Sequence, residues 1–210
     1  MSIAQKFLLE LTAILFIVDP VAAVPSFLAM TARDTVAARR TAARRGAWTV
    51  FITLVVFAAG GTYIFKLFGI TLAAFKVAGG ILIGLSAMDM VQARRSQQQE
   101  TPEETAEGIE KADIGIVPLG IPMLAGAGSI STVMVSAFAA KTVWDVASLF
   151  LSIAITAYAC YATLRAATAV EKRLGRSGMR VLTRVMGLFL LAISIQYILD
   201  GIRAALEKST

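Results

Sequence analysis

Asp19 is the deepest ionisable group in an apolar run near the N-terminus, within IVDPVAAVPSFL (residues 17–28), and Pro20 and Pro25 follow it closely. Proline lacks a backbone N–H and clashes with the preceding turn, so these two residues free polar backbone groups inside the run. A carboxylate in hydrocarbon must be paired, hydrated or protonated. Asp19 therefore has three candidate roles: proton relay, partner for a substrate ammonium, or cap for the N–H groups freed after Pro20. These roles are not exclusive. A second stretch, PLGIPMLAGAGSIST (118–132), breaks in the same way at Pro118 and Pro122 and then runs through Gly126, Gly128, Ser129, Ser131 and Thr132. Small residues let a ligand approach the backbone, and hydroxyls can bond it. A helix restarting after such a break points its electropositive N–H groups at the gap, which suits a carboxylate. The candidate binding residues are thus Asp19, Pro20, Ala22, Ala23, Pro25, Pro122, Gly126, Gly128, Ser129, Ser131 and Thr132.

Other chemistry has little support. GAGS and GLSA superficially resemble serine-protease motifs, but the chain contains no histidine to act as base. There is no phosphate-cradling glycine loop and no zinc-spaced ligand set, so neither ATP-driven transport nor a metal or other cofactor is expected, and the chain reads as a non-enzyme. Cys160 is the single cysteine, which forbids an internal disulfide and reads as an inert buried thiol.

The elements that position these residues follow from composition. The 210 residues are 57% hydrophobic and 16% charged, with a mean hydropathy of +0.74, which is the composition of a membrane protein. About 20 apolar residues cross the bilayer as a helix. Six such runs stand out, near 7–30, 46–68, 71–91, 114–139, 146–165 and 181–203, and none alternates as a barrel strand would. The first reads as a retained span rather than a cleaved signal. The expectation is one all-α transmembrane domain over 1–210, with helices 1 and 4 broken near the midplane and an acidic cytoplasmic loop at about 92–113.

Of the 20 basic residues, 14 fall in or beside the connections 31–45, 92–113 and 166–180. The positive-inside rule then puts both termini outside. The net charge of +6 is explained by this topology rather than by nucleic acid; anionic lipid headgroups are the alternative partner. Lys76, Asp89, Arg184 and Asp200 bound the short uncharged cores of the third and sixth runs, where snorkelling accounts for them.

The halves, about 1–91 and 114–206, resemble each other. KVAGGILIGLS (76–86) aligns with RVMGLFLLAIS (184–194) at an offset of 108, and four of the five prolines lie in the first and fourth runs. Three spans per half invert the second half, which is the inverted-repeat arrangement of secondary transporters, whose sites form where broken helices meet. Kinking and small-residue packing are the structural alternatives.

VDPVAAVPSFLAMT, AFKVAGGILIGLSAMDM, DIGIVPLGIPMLAGAGSIST and the closing ILDGI together resemble the MarC family, also described as the small neutral amino acid transporter (NAAT) family. The likeness covers nearly the whole chain. It implies a six-span protein of the bacterial inner membrane, with relatives of the SnatA type moving glycine, alanine and similar solutes. It also implies Gly-Asn where this chain has Ala22-Ala23, and Gly-Pro-Gly where it has Gly126-Ala127-Gly128. The expected site is therefore drier, or its backbone does the recognising. Proton coupling through Asp19 is expected, with direction and oligomeric state open. The alternatives are an exporter of another small metabolite or drug, and a non-transporting membrane interaction protein.

Overall fold

The computed structural model describes residues 3–92 and 119–207, and the described residues are all-helical. The acidic segment expected at 92–113 lies almost entirely outside them, as does Pro118. Helix α1 (Ile3–Val18) stops at a break and α2 (Val24–Met30) follows it. Helices α3 (Val36–Phe68) and α4 (Leu72–Val91) complete the first half. A π-helical segment (Leu119–Leu124) leads into α5 (Ala127–Ala139), α6 (Val143–Arg165) and α7 (Ala167–Glu207). Four stretches are long and apolar enough to cross a bilayer: Val36–Gly61, Leu72–Val91, Val143–Arg165 and Ser177–Glu207. Their exposed large apolar side chains, such as Ile52, Val56, Leu151 and Phe189, are what a lipid-facing surface requires. The chain is an integral, multi-pass membrane protein in contact with the bilayer.

Local chemistry explains the helix ends. Thr35 caps α3 by accepting from the Ala38 N–H at 3.2 Å, Thr71 caps α4 through the Ala74 N–H at 3.1 Å, and Thr142 with Asp145 forms a capping box on α6. Gly69 ends α3 in the left-handed region at φ 63°, where a glycine pays no Cβ penalty. Two expected connections, 31–45 and 166–180, are largely helical: α3 begins at Val36, and α7 runs from Ala167 with a kink at Gly175. Their arginines, lysines and alanines are strong helix formers, so the helices continue past the apolar stretch. At 33 residues, α3 is about 50 Å long and outreaches a hydrocarbon core of ~30 Å.

Side-chain bonds show which ends lie together. Arg39 of α3 donates to the Thr31 carbonyl at 2.8 Å and to Thr168 Oγ1 of α7 at 3.2 Å. These contacts join the two arginine-bearing connections at one end of the bundle. Lys6 of α1 pairs with Asp145 of α6 at 2.6 Å at another end.

The core has two parts. Ile14, Phe27, Val50, Leu54, Leu149 and Ile153 centre one cluster, and Ile17, Ile83, Ala87, Met90 and Leu190 form the other. Helices α4 and α7 run antiparallel with their backbones touching. A Cβ on Gly201 would sit 2.8 Å from the Ala73 carbonyl oxygen, and one on Gly187 would sit 2.9 Å from the Val91 nitrogen. Only glycine allows that approach.

Candidate functional site

The α1 helix ends because Asp19 takes φ 42° and Pro20 brings no N–H to continue the ladder. The Asp19 N–H still bonds the Leu15 carbonyl at 3.0 Å, so the break begins one residue later. Asp19 is 6% exposed. Its Oδ1 accepts from the Ala22 N–H at 3.2 Å, capping the turn that leads into α2. Its Oδ2 is buried without a partner. The capping role and a free carboxylate oxygen therefore coexist on one side chain.

The second break is built differently. The Ala125 N–H bonds the Gly120 carbonyl at 2.9 Å, a π-type closure, and Ile121 is extended at φ −134°, ψ 129°. The α5 helix restarts at Ala127 after Gly126, with no side chain capping it. The Ser129 hydroxyl reaches the carbonyls of Gly126 at 2.9 Å and Leu124 at 3.2 Å, and so is occupied by groups that the break frees.

The two breaks meet at a cavity of about 60 Å³. That exceeds the ~10–15 Å³ a cavity needs to hold a water and, at ~30 Å³ for each water's share of the liquid, corresponds to about two. Asp19, Ala22 and Ala23 line it from the first break, and Gly126, Gly128 and Ser129 from the second. Sequence reasoning missed the wall that α4 and α7 contribute: Leu82, Ile83, Ser86, Met90 and Leu190. Ser86 had a signal, because it closes the repeated motif opposite Ser194. The apolar members had none, since only packing reveals which face of α4 meets the gap. Among the described residues, Asp19 is the only ionisable group of the lining, which also takes in the uncapped start of α5.

The other candidates sit elsewhere. Pro20 is buried behind the turn, and Pro25 is exposed in the first turn of α2. Ser131 is buried against Gly79, where an added Cβ would come within 2.8 Å of the Ser131 Cβ. Thr132 donates back to the Gly128 carbonyl at 2.9 Å. Neither lines the cavity, and Pro122 lies in the π-helical segment. Cys160 is fully buried. Among the described residues, no cluster of three or more His, Cys, Asp or Glu is placed to hold a metal ion.

The sequence model of the MarC family integral membrane proteins matches residues 4–206. The chain belongs to the MarC family. The UPF0056 membrane protein MJ1677 of Methanocaldococcus jannaschii is 40% identical, with 96% of this chain and 98% of that protein covered. YvbG of Bacillus subtilis is 35% identical, covering 94% and 95%, and YhcE of Escherichia coli is 34% identical, covering 94% and 91%. No solved structure matches.

Proposed function

We propose that this MarC protein is a secondary transporter that moves small neutral amino acids across the bacterial inner membrane, by alternating access between its two inverted halves. The observation that carries the reading is the meeting of both breaks at one small cavity, lined by the buried Asp19 from the first and by the uncapped start of α5 from the second. A zwitterion presents the matching pair, an ammonium for the carboxylate and a carboxylate for the helix N–H groups. The small volume and the Leu82, Ile83, Met90 and Leu190 wall favour glycine or alanine over larger, more polar solutes.

Several observations support the inverted halves. The segments that match at the 108-residue offset lie on α4 and α7, which cross antiparallel. Each half also opens with a broken helix, and both breaks reach the same cavity. The termini are assigned to the outer face because the arginine-bearing ends of α3 and α7 meet through Arg39 and Thr168, away from the Lys6–Asp145 end.

The test is thermal stabilisation of the detergent-purified protein across an amino-acid panel, followed by counterflow in proteoliposomes. A ligand of the folded state raises its stability by mass action. Glycine and alanine are expected to shift the transition and to exchange. A panel without a hit overturns the substrate class.

A further inference from the structure

The part of α4 that borders the cavity carries Leu82, Ser86 and Met90 at four-residue intervals, which stacks them on one side of the helix. Eight residues of helix span about 12 Å, so these side chains lay out the cavity lengthwise. Ser86 lies in the middle, with Leu82 and Met90 at the two ends. The neighbours of α4 fix the direction. Its start lies beside the end of α3, where the Phe65 and Phe75 rings stand 4.5 Å apart. Its last turn lies beside Gly187, just beyond Arg184 of α7. Met90 therefore marks the end of the cavity nearer the arginine-bearing end of the bundle.

The two ends are closed by different means. Beyond Leu82, α4 lies directly on its neighbours. A Cβ on Gly79 would meet the Ser131 Cβ of α5 at 2.8 Å, and one on Gly80 would meet the Ser194 carbonyl oxygen of α7 at 2.8 Å and the Ile198 nitrogen at 3.1 Å. Small residues permit that approach, and nothing there moves aside short of the helices themselves. At the other end α4 stops at Val91, followed by the exposed Gln92. Among the described residues, Met90 is the last that α4 contributes to the lining. It is 6% exposed and clusters with Ile17, Ile83, Ala87 and Leu190. Ile83 is wedged against α5, where a Cβ on Gly128 would come within 2.9 Å of its Cγ1. Met90 combines a fixed base with an adaptable tip. Its main chain is held against α7, because a Cβ on Gly187 would meet the Met90 Cβ and the Val91 nitrogen, each at 2.9 Å. Its thioether is unbranched and turns freely about its bonds.

We propose that Met90 is the stopper of the cavity and sets the size limit of the cargo, its thioether filling the space that a longer substrate side chain needs. The inference rests on the transport reading above and assigns the limit to one residue rather than to the cavity as a whole. Truncation to alanine removes Cγ, Sδ and Cε, and truncation to cysteine removes the equivalent of Sδ and Cε. Valine exceeds alanine by a pair of carbons, and a single methylene in such a pocket discriminates by roughly 10–200-fold.

The test is counterflow of labelled alanine and labelled valine in proteoliposomes. Its readout is the valine-to-alanine ratio, which a loss of folded protein does not change. Wild type is compared with Met90→Ala, Met90→Cys and Met134→Ala. Both Met90 variants keep the Cβ that packs on Gly187. Met134 is a methionine of α5, 3% exposed, packed on Gly61 and outside the lining. Wild type is expected to favour alanine at least tenfold. The ratio is expected to rise at least tenfold in Met90→Ala and Met90→Cys, and to stay within twofold of wild type in Met134→Ala. Methyl methanethiosulfonate then transfers a thiomethyl group to the introduced thiol and releases methanesulfinate. The resulting methyl disulfide has the chain length of methionine, so the ratio is expected to return to within twofold of wild type. Dithiothreitol is expected to raise it again in the same folded molecules. Cys160 is fully buried, and wild type given the reagent is its control.

A ratio within twofold of wild type in either Met90 variant overturns the stopper, as does loss of both exchanges in a folded one. An equal rise in Met134→Ala also overturns it, because that assigns selectivity to packing in general. So does a thiol that the reagent fails to reach, or one whose modification leaves the ratio high. Wild type that exchanges alanine and valine equally overturns the size limit alone, whereas wild type that exchanges none of glycine, alanine and valine overturns the transport reading and the stopper with it.

Discussion

Replacing Asp19 with asparagine, glycine and alanine separates its structural work from its chemical work. Asparagine keeps an oxygen for the Ala22 N–H and, like aspartate, tolerates the positive φ of 42°. It also removes a buried charge, so Asp19→Asn is expected to be no less stable than wild type. Glycine loses the cap but accepts the backbone, at a cost of a few tenths of a kcal/mol. Alanine loses the cap, worth about 1 kcal/mol, and must also hold a Cβ in the left-handed region, at ~1–2 kcal/mol. The expected total for Asp19→Ala is about 2–3 kcal/mol, or roughly 5–10 °C in Tm at ~2–4 °C per kcal/mol for a chain of this size. Thermal unfolding of the four proteins in one detergent reads the series. Asp19→Ala as stable as Asp19→Asn refutes the capping geometry. Counterflow reads the chemical role: Asp19→Asn is expected to weaken alanine uptake and to lose its pH dependence although it folds fully.

At Gly201, an added Cβ meets the Ala73 carbonyl and the Val77 nitrogen, backbone atoms that cannot move aside. Gly201→Ala is expected to lower stability by about 1–3 kcal/mol, whereas Gly60→Ala, with nothing within 4 Å, is expected to raise it by ~0.5–1 kcal/mol; thermal unfolding compares the pair. Thr142→Ala removes one arm of the capping box and is expected to cost about 1 kcal/mol, more than Lys6→Ala, which breaks only a partly exposed ion pair. Ser152→Ala deletes a buried, unpartnered hydroxyl and is expected to leave Tm unchanged or raise it. A clear fall in Tm would show that Ser152 has a partner.

Much of this architecture was legible in the sequence, because the bilayer imposes length and polarity together. The long apolar runs became α3, α4, α6 and α7. The prolines and glycines at Pro20, Pro25, Pro122 and Gly126 marked both breaks, since neither residue type sustains a helical ladder through such positions. Boundaries were less legible where helix propensity outruns hydropathy. The arginine- and alanine-rich starts of α3 and α7 read as connections, yet they fold as helix. Within the site, Asp19 was legible as a charge at membrane depth, and its cap followed from the residue type. Its second, unpartnered oxygen was not legible, because that depends on what fails to pack against it. Ser131 and Thr132 looked like ligand groups by composition, but helical phase buries them outside the cavity lining. Ser152 and Thr156 carried a readable four-residue spacing, but only the folded helix shows that they forgo the usual bond to the preceding turn.

Counterflow of labelled alanine into proteoliposomes preloaded with unlabelled alanine tests the central claim most directly, with Asp19→Asn and protein-free vesicles alongside. The account predicts transient accumulation with the wild-type protein, inhibited by glycine, with Asp19→Asn accumulating less and losing the pH response. Absence of counterflow for alanine and glycine in vesicles that contain folded, correctly inserted protein would contradict it.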